Sequence, residues 1–372
     1  MVLGRLVSTQ LVARASARTL SARLAPGSRR LSAVSSARLA ARAAGTLAAA
    51  STGAGLGLLG LTAYLRSDPP PSEMDTFVLN AYSLATLIPW RPLSRAAGWL
   101  HDLRLPPWAR PPLLGLYARA LGISLADAAP AELRAYESAG ALFARRLRPD
   151  SRPLDAAAPL LSPVDGLVLC AGPVEPAAAG KPPTLIVKGV SYSLSALLGG
   201  GSAHLGRPLH QITIYLAPSD YHGFHAPADA VLYEARHVAG ALLSVHPALL
   251  QRWHTLATNE RLVLSGVWAH GYLALVAVGA TGVGSIELQS EPRLVTNRAG
   301  ALHGAVVSRT LEQSAAPVAR GERLGGFRLG SCVVVLFESH AHPAYAVSAG
   351  ARVRLGEPLV RAFEPRAADA GS

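Results

Sequence analysis

From Pro159 onward, short apolar and β-branched runs alternate with Gly and Pro punctuation: Gly166–Cys170, Leu185–Val187, Gln211–Leu216, Leu262–Leu264, Tyr272–Val278, Cys332–Phe337 and Ala351–Leu355. Strands at such spacing predict a mainly antiparallel sandwich or barrel. Helices are expected to interrupt it at Ser193–Leu198 and Pro247–Thr255. Upstream, residues 74–150 read as helices broken by prolines, among them Leu113–Leu121 and Ala131–Leu147. Apolar faces in that region carry Phe77, Leu79, Trp99 and Trp108. Core packing is the commoner fate of such stripes, and a bilayer surface is the other. The predicted class is therefore α+β: N-terminal helices, then a mainly antiparallel β sandwich or barrel-like hybrid over residues 151–372.

The first 65 residues follow different rules. Gly45–Leu65 is uncharged, is flanked by Arg42 and Arg66, and as a helix would span about 31 Å, the thickness of a hydrocarbon core. It reads as one transmembrane helix. Residues 1–44 are rich in Arg, Ser, Ala and Leu and lack acid, the composition of an organellar transit peptide. Residues 66–73, Arg-Ser-Asp-Pro-Pro-Pro-Ser-Glu, form a polar linker that cannot continue a helix.

Charge changes the picture only by its location. The net charge is +12, but residues 1–66 hold nine arginines and no acid, so the body is close to balanced. A basic nucleic-acid groove is not expected, and neither is a nucleic-acid partner. Cys170 and Cys332, both beside apolar runs, read as two buried free thiols. Lysine occurs only at Lys181 and Lys188.

Four islands carry groups with chemistry: Ser162-Pro163-Val164-Asp165-Gly166, Tyr221-His222-Gly223-Phe224-His225-Ala226-Pro227, Asn259-Glu260-Arg261 and Phe327-Arg328-Leu329-Gly330-Ser331-Cys332. Singly, each has a structural explanation; Asp165-Gly166, for instance, is a turn dipeptide before a strand. Together they supply an acid, two histidines and a glycine-preceded serine, the parts of a Ser/His/Asp system. A hydrolase would hold its serine in a G-x-S-x-G elbow between strand and helix. Here Ser331 opens a β-branched strand and no second glycine follows. That placement suits attack on the chain's own preceding carbonyl, because Gly330 has no Cβ and tolerates the strained geometry.

In this order the islands resemble the phosphatidylserine decarboxylase family, and within it the mitochondrial type with a transit peptide and one membrane span. The resemblance covers roughly residues 134–360. It includes Phe143-Ala144-Arg145-Arg146-Leu147 with Arg152-Pro153, Val187-Lys188-Gly189-Val190-Ser191-Tyr192-Ser193-Leu194 and Ala217-Pro218-Ser219-Asp220-Tyr221-His222. It continues through Glu260-Arg261-Leu262-Val263-Leu264-Ser265-Gly266 and Gly279-Ala280-Thr281-Gly282-Val283-Gly284-Ser285. It implies that Asp165 orients His225, that His225 deprotonates Ser331, and that Ser331 attacks the Gly330 carbonyl. The products would be a large chain ending at Gly330 (1–330, less its presequence) and a small chain, 331–372, opening on a pyruvoyl group made from Ser331. It also implies a phospholipid substrate, phosphatidylserine, held as a Schiff base on that pyruvoyl cofactor and converted to phosphatidylethanolamine and carbon dioxide. His222 would reprotonate the carbanion. The implied location is the mitochondrial inner membrane, facing the intermembrane space, with a chloroplast as the lesser alternative. Cys332 stands where the family usually has a hydroxyl residue. A thiol is the weaker donor, so slower self-cleavage is expected if that hydroxyl steadies the intermediate.

Two other readings stay open. One is a pyridoxal-phosphate decarboxylase with Lys188 as the Schiff-base lysine, although no glycine-rich phosphate loop accompanies it. The other is a non-enzymatic, membrane-tethered metal module using His222, His225 and His204 or His210, for which no nearby cysteine or carboxylate completes a tetrahedral set. The decarboxylase reading needs no metal.

Overall fold

The computed structural model of the protein describes residues 89–178, 182–200, 206–250, 254–282, 285–310, 316–328 and 330–365. The expected leader (1–44), span (45–65) and linker (66–73), together with Phe77, Leu79, Lys181 and His204, lie outside the described residues. Among the described residues no helix is long and apolar enough to cross a membrane.

The first described elements are helices α1 (Trp90–His101) and α2 (Arg110–Leu121). Prolines stand at the start of α2, where their missing N–H costs nothing, and Gly122 ends it in the left-handed region at φ 71°. The expected helix over Ala131–Leu147 is not continuous. A 3₁₀ turn (Leu133–Ala135) gives way to extended Tyr136, then α3 (Ala139–Phe143), and Arg146–Leu147 pairs with Ala128–Ala129 as strand. Tertiary partners capture the break: Leu105 N donates to Glu137 O at 2.7 Å, and Tyr136 Oη donates to Pro130 O. Ser138 then restarts the helix, its Oγ accepting from Ala141 N at 3.0 Å.

The rest is built on a nine-stranded sheet. Its strands, with those of a small neighbouring sheet, are β1 (Gly166–Pro173), β2 (Leu209–Leu216), β3 (Gly223–His225), β4 (Ala230–Val238), β5 (Arg261–Trp268), β6 (Gly271–Gly279), β7 (Ile286–Leu288), β8 (Val306–Thr310), β9 (Ala316–Val318), β10 (Arg323–Phe327), β11 (Ser331–Glu338) and β12 (Arg352–Val353). The large sheet runs β8-β4-β5-β6-β11-β2-β1-β12 with β9 also on β4, and every pairing is antiparallel. The small sheet runs β7-β10-β3. The protein is thus mixed helix and mainly antiparallel sheet, and no sheet among the described residues closes into a barrel.

All seven expected strands are present, Ala351–Leu355 shortened to β12. Strands β3, β4, β7, β8, β9 and β10 lie outside the expected runs; Glu234, Arg236 and His237 interrupt the apolar pattern of β4, and Gly325-Gly326 that of β10. Ladder hydrogen bonds to neighbours hold them extended regardless. The centre of the large sheet is covered on both faces. Along β11, Val333, Val335 and Phe337 enter one apolar cluster while Cys332, Val334 and Leu336 enter another, the period of two that a strand imposes.

The topology gathers one corner. Strands β11, β2 and β1 are neighbours, and Ser331 opens the first, Leu216 closes the second and Gly166 opens the third. In antiparallel order all three points lie at the same edge. The connectors 217–222 and 328–330 both pass from the paired strands β2 and β11 to the paired strands β3 and β10, so they share that corner.

Gly166 allows β1 to approach β2 closely. A Cβ there would stand 2.5 Å from Tyr215 O and 2.7 Å from Ile214 Cγ2. Gly166→Ala is expected to lower stability by about 1–3 kcal/mol through overpacking, read as a reduced denaturation midpoint.

Candidate active site

At the edge of the corner, Ser331 is fully buried, opposite Leu216 on one side and Gly279 on the other. Among the described residues its Oγ has no hydrogen-bond partner. Gly330 precedes it at φ 24°, where glycine is favoured, and a Cβ would meet open space. Conformation, not room, is what asks for glycine here. Cys332 is also buried, but alternation turns its thiol into the apolar cluster on the other face of the sheet, where burial pushes its pKa up. An influence on Ser331 cannot therefore pass through direct side-chain contact.

The connector 217–222 brings in the histidines. His222 is buried, its ring against Phe143 of α3 with centroids 4.2 Å apart. Nδ1 lies 3.0 Å from Asp220 O, and a carbonyl only accepts, so Nδ1 carries the proton and Nε2 has a free lone pair. Burial lowers its pKa to about 3, so it is neutral at pH 7. His225, partly buried, is fixed by its own N–H to Pro163 O at 2.9 Å and by Nδ1 to Gly321 O at 2.8 Å. Its Nε2 accepts from Tyr221 Oη at 3.1 Å. Burial depresses this pKa too.

Asp165 differs from expectation in its contacts. Arg152 holds it, with Nη2–Oδ2 at 2.6 Å and Nε–Oδ1 at 3.1 Å, and Leu355 N donates to Oδ1 at 2.8 Å. Among the described residues Asp165 and His225 share no hydrogen bond; the carbonyl of Gly321 takes the place on Nδ1 that Asp165 was expected to fill. The negative charge of Asp165 still acts on His225 through space. Arg152 in turn bonds Asp127 at 2.8 Å, and its hydrogen bonds to Asp165 raise its pKa.

Three residues of this corner went unassigned in the sequence reading: Arg152, Tyr221 and Arg145. All stand inside or beside the quoted motifs, which was the available signal. The third island is structural support. Asn259 Nδ2 donates to Leu243 O and Gly279 O, both at 2.8 Å, and buried Glu260 accepts from His237 and the Asn297 backbone. The described groups behind the rival readings sit elsewhere. Lys188 is exposed at φ 52° in the Lys188-Gly189 turn of a hairpin, a position chosen for turn conformation and not for burying an amine. His210 bonds Tyr345 Oη at 2.8 Å, and among the described residues no group of three His, Cys, Asp or Glu is placed to hold a metal.

The family model for phosphatidylserine decarboxylase matches residues 139–361, which contain Arg145, Arg152, Asp165, Tyr221, His222, His225, Gly330 and Ser331. The chain belongs to the phosphatidylserine decarboxylase family. Similar proteins include the mitochondrial phosphatidylserine decarboxylase proenzyme of Rattus norvegicus, 35% identical over 74% of this chain and 73% of that protein. That of Caenorhabditis elegans is 40% identical over 73% and 71%. Proenzyme 1 of Schizosaccharomyces pombe is 31% identical over 82% and 90%. In a decarboxylase of this family, a buried unpartnered serine at the start of a central strand is chemically the conspicuous group.

The buried neutral histidines carry a pH signature. A depressed pKa means that the unfolded chain binds protons the folded chain refuses, so this contribution to stability is whole above about pH 6.5 and is lost as pH falls toward about 3. His222→Gln is expected to flatten the fall between pH 6.5 and 4.5, measured as urea midpoints at several pH values.

Proposed function

We propose that this protein decarboxylates phosphatidylserine to phosphatidylethanolamine and carbon dioxide, after cutting itself between Gly330 and Ser331 and converting Ser331 to a pyruvoyl group. The observation that carries the reading is the buried, unpartnered Ser331 Oγ directly after a glycine at positive φ. A hydroxyl held out of water without a partner is a costly arrangement, and attack on the preceding carbonyl uses it. The relatives' name of proenzyme supports the same order of events.

Nδ1–H of His225 is tied to Gly321, so Nε2 is its basic nitrogen, and Tyr221 Oη–H occupies that nitrogen in the uncut chain. His225 takes the Ser331 proton when Tyr221 turns away, and Asp165, anchored by Arg152, stabilises the imidazolium through its charge. A pyruvoyl group at position 331 would supply an electron-withdrawing carbonyl as a sink for the electrons released with carbon dioxide. His222 Nε2, free and buried in the same corner, holds the proton returned to the substrate carbon. After scission β11 stays in place, because its backbone pairs with β2 from Ser331 to Glu338 and with β6 from Ser331 to Phe337. The fragments 1–330, less the presequence, and 331–372 therefore remain one protein.

The substrate lies in a membrane, and α1 is built for one. Its inner side is tied down by polar groups: Ser94 Oγ accepts from Gly282 N at 3.1 Å, and Arg91 donates to Ala301 O at 3.1 Å and pairs with Glu260. Large apolar side chains face outward instead, with Trp99 64% and Trp108 81% exposed and Leu93, Leu113 and Leu116 beside them in sequence. Core packing, the commoner expectation for Trp99 and Trp108, is not their fate. We assign this surface to the bilayer, with residues 1–44 as the import leader and 45–65 as the anchor in the mitochondrial inner membrane.

Two outcomes test this. On a denaturing gel the protein should run as a large and a small fragment, Ser331→Ala, His225→Ala and Asp165→Ala should each run as one chain, and His222→Ala should be cut but lose about 10²–10⁴ in turnover. A cut Ser331→Ala chain would end the proposal. In alkaline carbonate extraction of organelles the mature protein should stay with the membrane pellet, and release into the supernatant would remove the anchor.

A further inference from the structure

Arg145 follows Phe143-Ala144 at the end of α3 and is only 6% exposed. Its Nη2 donates to two neutral carbonyls, Ser219 O at 3.0 Å and Asp220 O at 3.3 Å. The second of these is the carbonyl that also accepts from His222 Nδ1. Sharing one acceptor sets the guanidinium beside the imidazole, and Phe143, two residues before Arg145, stacks on the same ring. Nε and Nη1 of Arg145 have no partner among the described residues. Two other arginines on the wall of the same cavity are already neutralised, Arg152 by Asp165 and Asp127 and Arg352 by Asp220, and a third, Arg354, is exposed to solvent where Arg145 is buried. That cavity, about 640 Å³, is lined by Arg145, Ser219, Asp220 and Tyr221 among others, which is room for a polar headgroup.

A buried guanidinium with open donors is an incomplete ion pair, and an anionic ligand completes it. Two anions are on offer in the substrate. The carboxylate departs as carbon dioxide, so an arginine that held it would stabilise the ground state and raise the barrier. The phosphodiester keeps its single charge from substrate to product. It also stands only three bonds from the carbon that is reprotonated, so whatever holds it must be close to the proton-carrying histidine. Arg145 is in that position. We propose that Arg145 binds the phosphodiester of the lipid headgroup through its Nε–H and Nη1 donors, beside His222. The inference rests on the decarboxylase reading above and makes Arg145 a residue that selects phospholipid over a free amino acid.

Because the charge it meets is the same throughout the reaction, Arg145 contributes uniform binding, and its loss should appear in KM and not in kcat. In mixed micelles, Arg145→Met is expected to raise KM for phosphatidylserine by about tenfold or more, the scale of a lost charged hydrogen bond, with kcat held within about threefold. Arg145→Lys should recover part of the loss, and decarboxylation of a phosphate-free O-alkyl-L-serine should be equal in all three proteins. A fall in kcat at unchanged KM, or an equal loss on both substrates, would overturn the assignment. If the methionine variant does not fold, the unaltered protein and Arg145→Lys decide by calorimetry with glycerophosphoethanolamine. Tighter binding than to ethanolamine, weakened by the lysine, supports the proposal, and equal binding of the two ligands refutes it. That measurement needs no turnover, so it stands even if no carbon dioxide is released and the reaction assigned here proves wrong.

Discussion

Ser331 enters the large sheet between Leu216 and Gly279, and the backbone hydrogen bonds of that register anchor everything at the corner. They hold the residue after Gly330 rigidly in a buried strand, while Gly330 itself sits outside the ladder at positive φ. The carbonyl of Gly330 thus lies at the entrance to the ladder. The same ladder would retain β11 if the chain were cut there, as proposed above.

The corner divides its polar groups into satisfied and open ones. Asp165, Arg152 and Asp127 neutralise one another, and Gly321 and Tyr221 take both nitrogens of His225. By contrast Ser331 Oγ, His222 Nε2 and two nitrogens of Arg145 are buried without partners among the described residues. Buried polar groups are nearly always paired, and exceptions gather where a ligand or a reacting group completes them. The paired set suits holding and orienting; the open set suits attack, proton return and recognition of an anion. The two sets meet at Asp220, whose carbonyl positions His222 and Arg145 together while its carboxylate bonds Ala217 N and Arg352.

Helix α1 departs from the usual arrangement of a surface helix: Ser94 and Arg91 point inward beside partly buried Trp90, while Leu93 and Trp99 face outward. Water would penalise that arrangement and a bilayer would favour it. The apolar stripe alone was ambiguous between core and membrane, since both bury apolar surface; only the position of Ser94 and Arg91 against the body of the protein resolves which side faces in.

What the sequence by itself determined was whatever is local or strongly periodic. The strands around Gln211–Leu216, Tyr272–Val278 and Cys332–Phe337 were legible because alternation and β-branching act within a few residues. The serine after glycine, the His-x-x-His pair and Asp165 were legible as chemistry because their types and order persist whatever the fold. Tertiary structure decided the rest, because its causes are distant in the chain. The break at Tyr136–Ser138 depends on Leu105 and Pro130, the extended form of Arg323–Phe327 on Gly223–His225, and the partner of Asp165 on Arg152 instead of His225. Above all, no local pattern could place Arg145 next to His222, since that neighbourhood exists only where Arg145 reaches a carbonyl 75 residues away, Asp220 O, that His222 also uses.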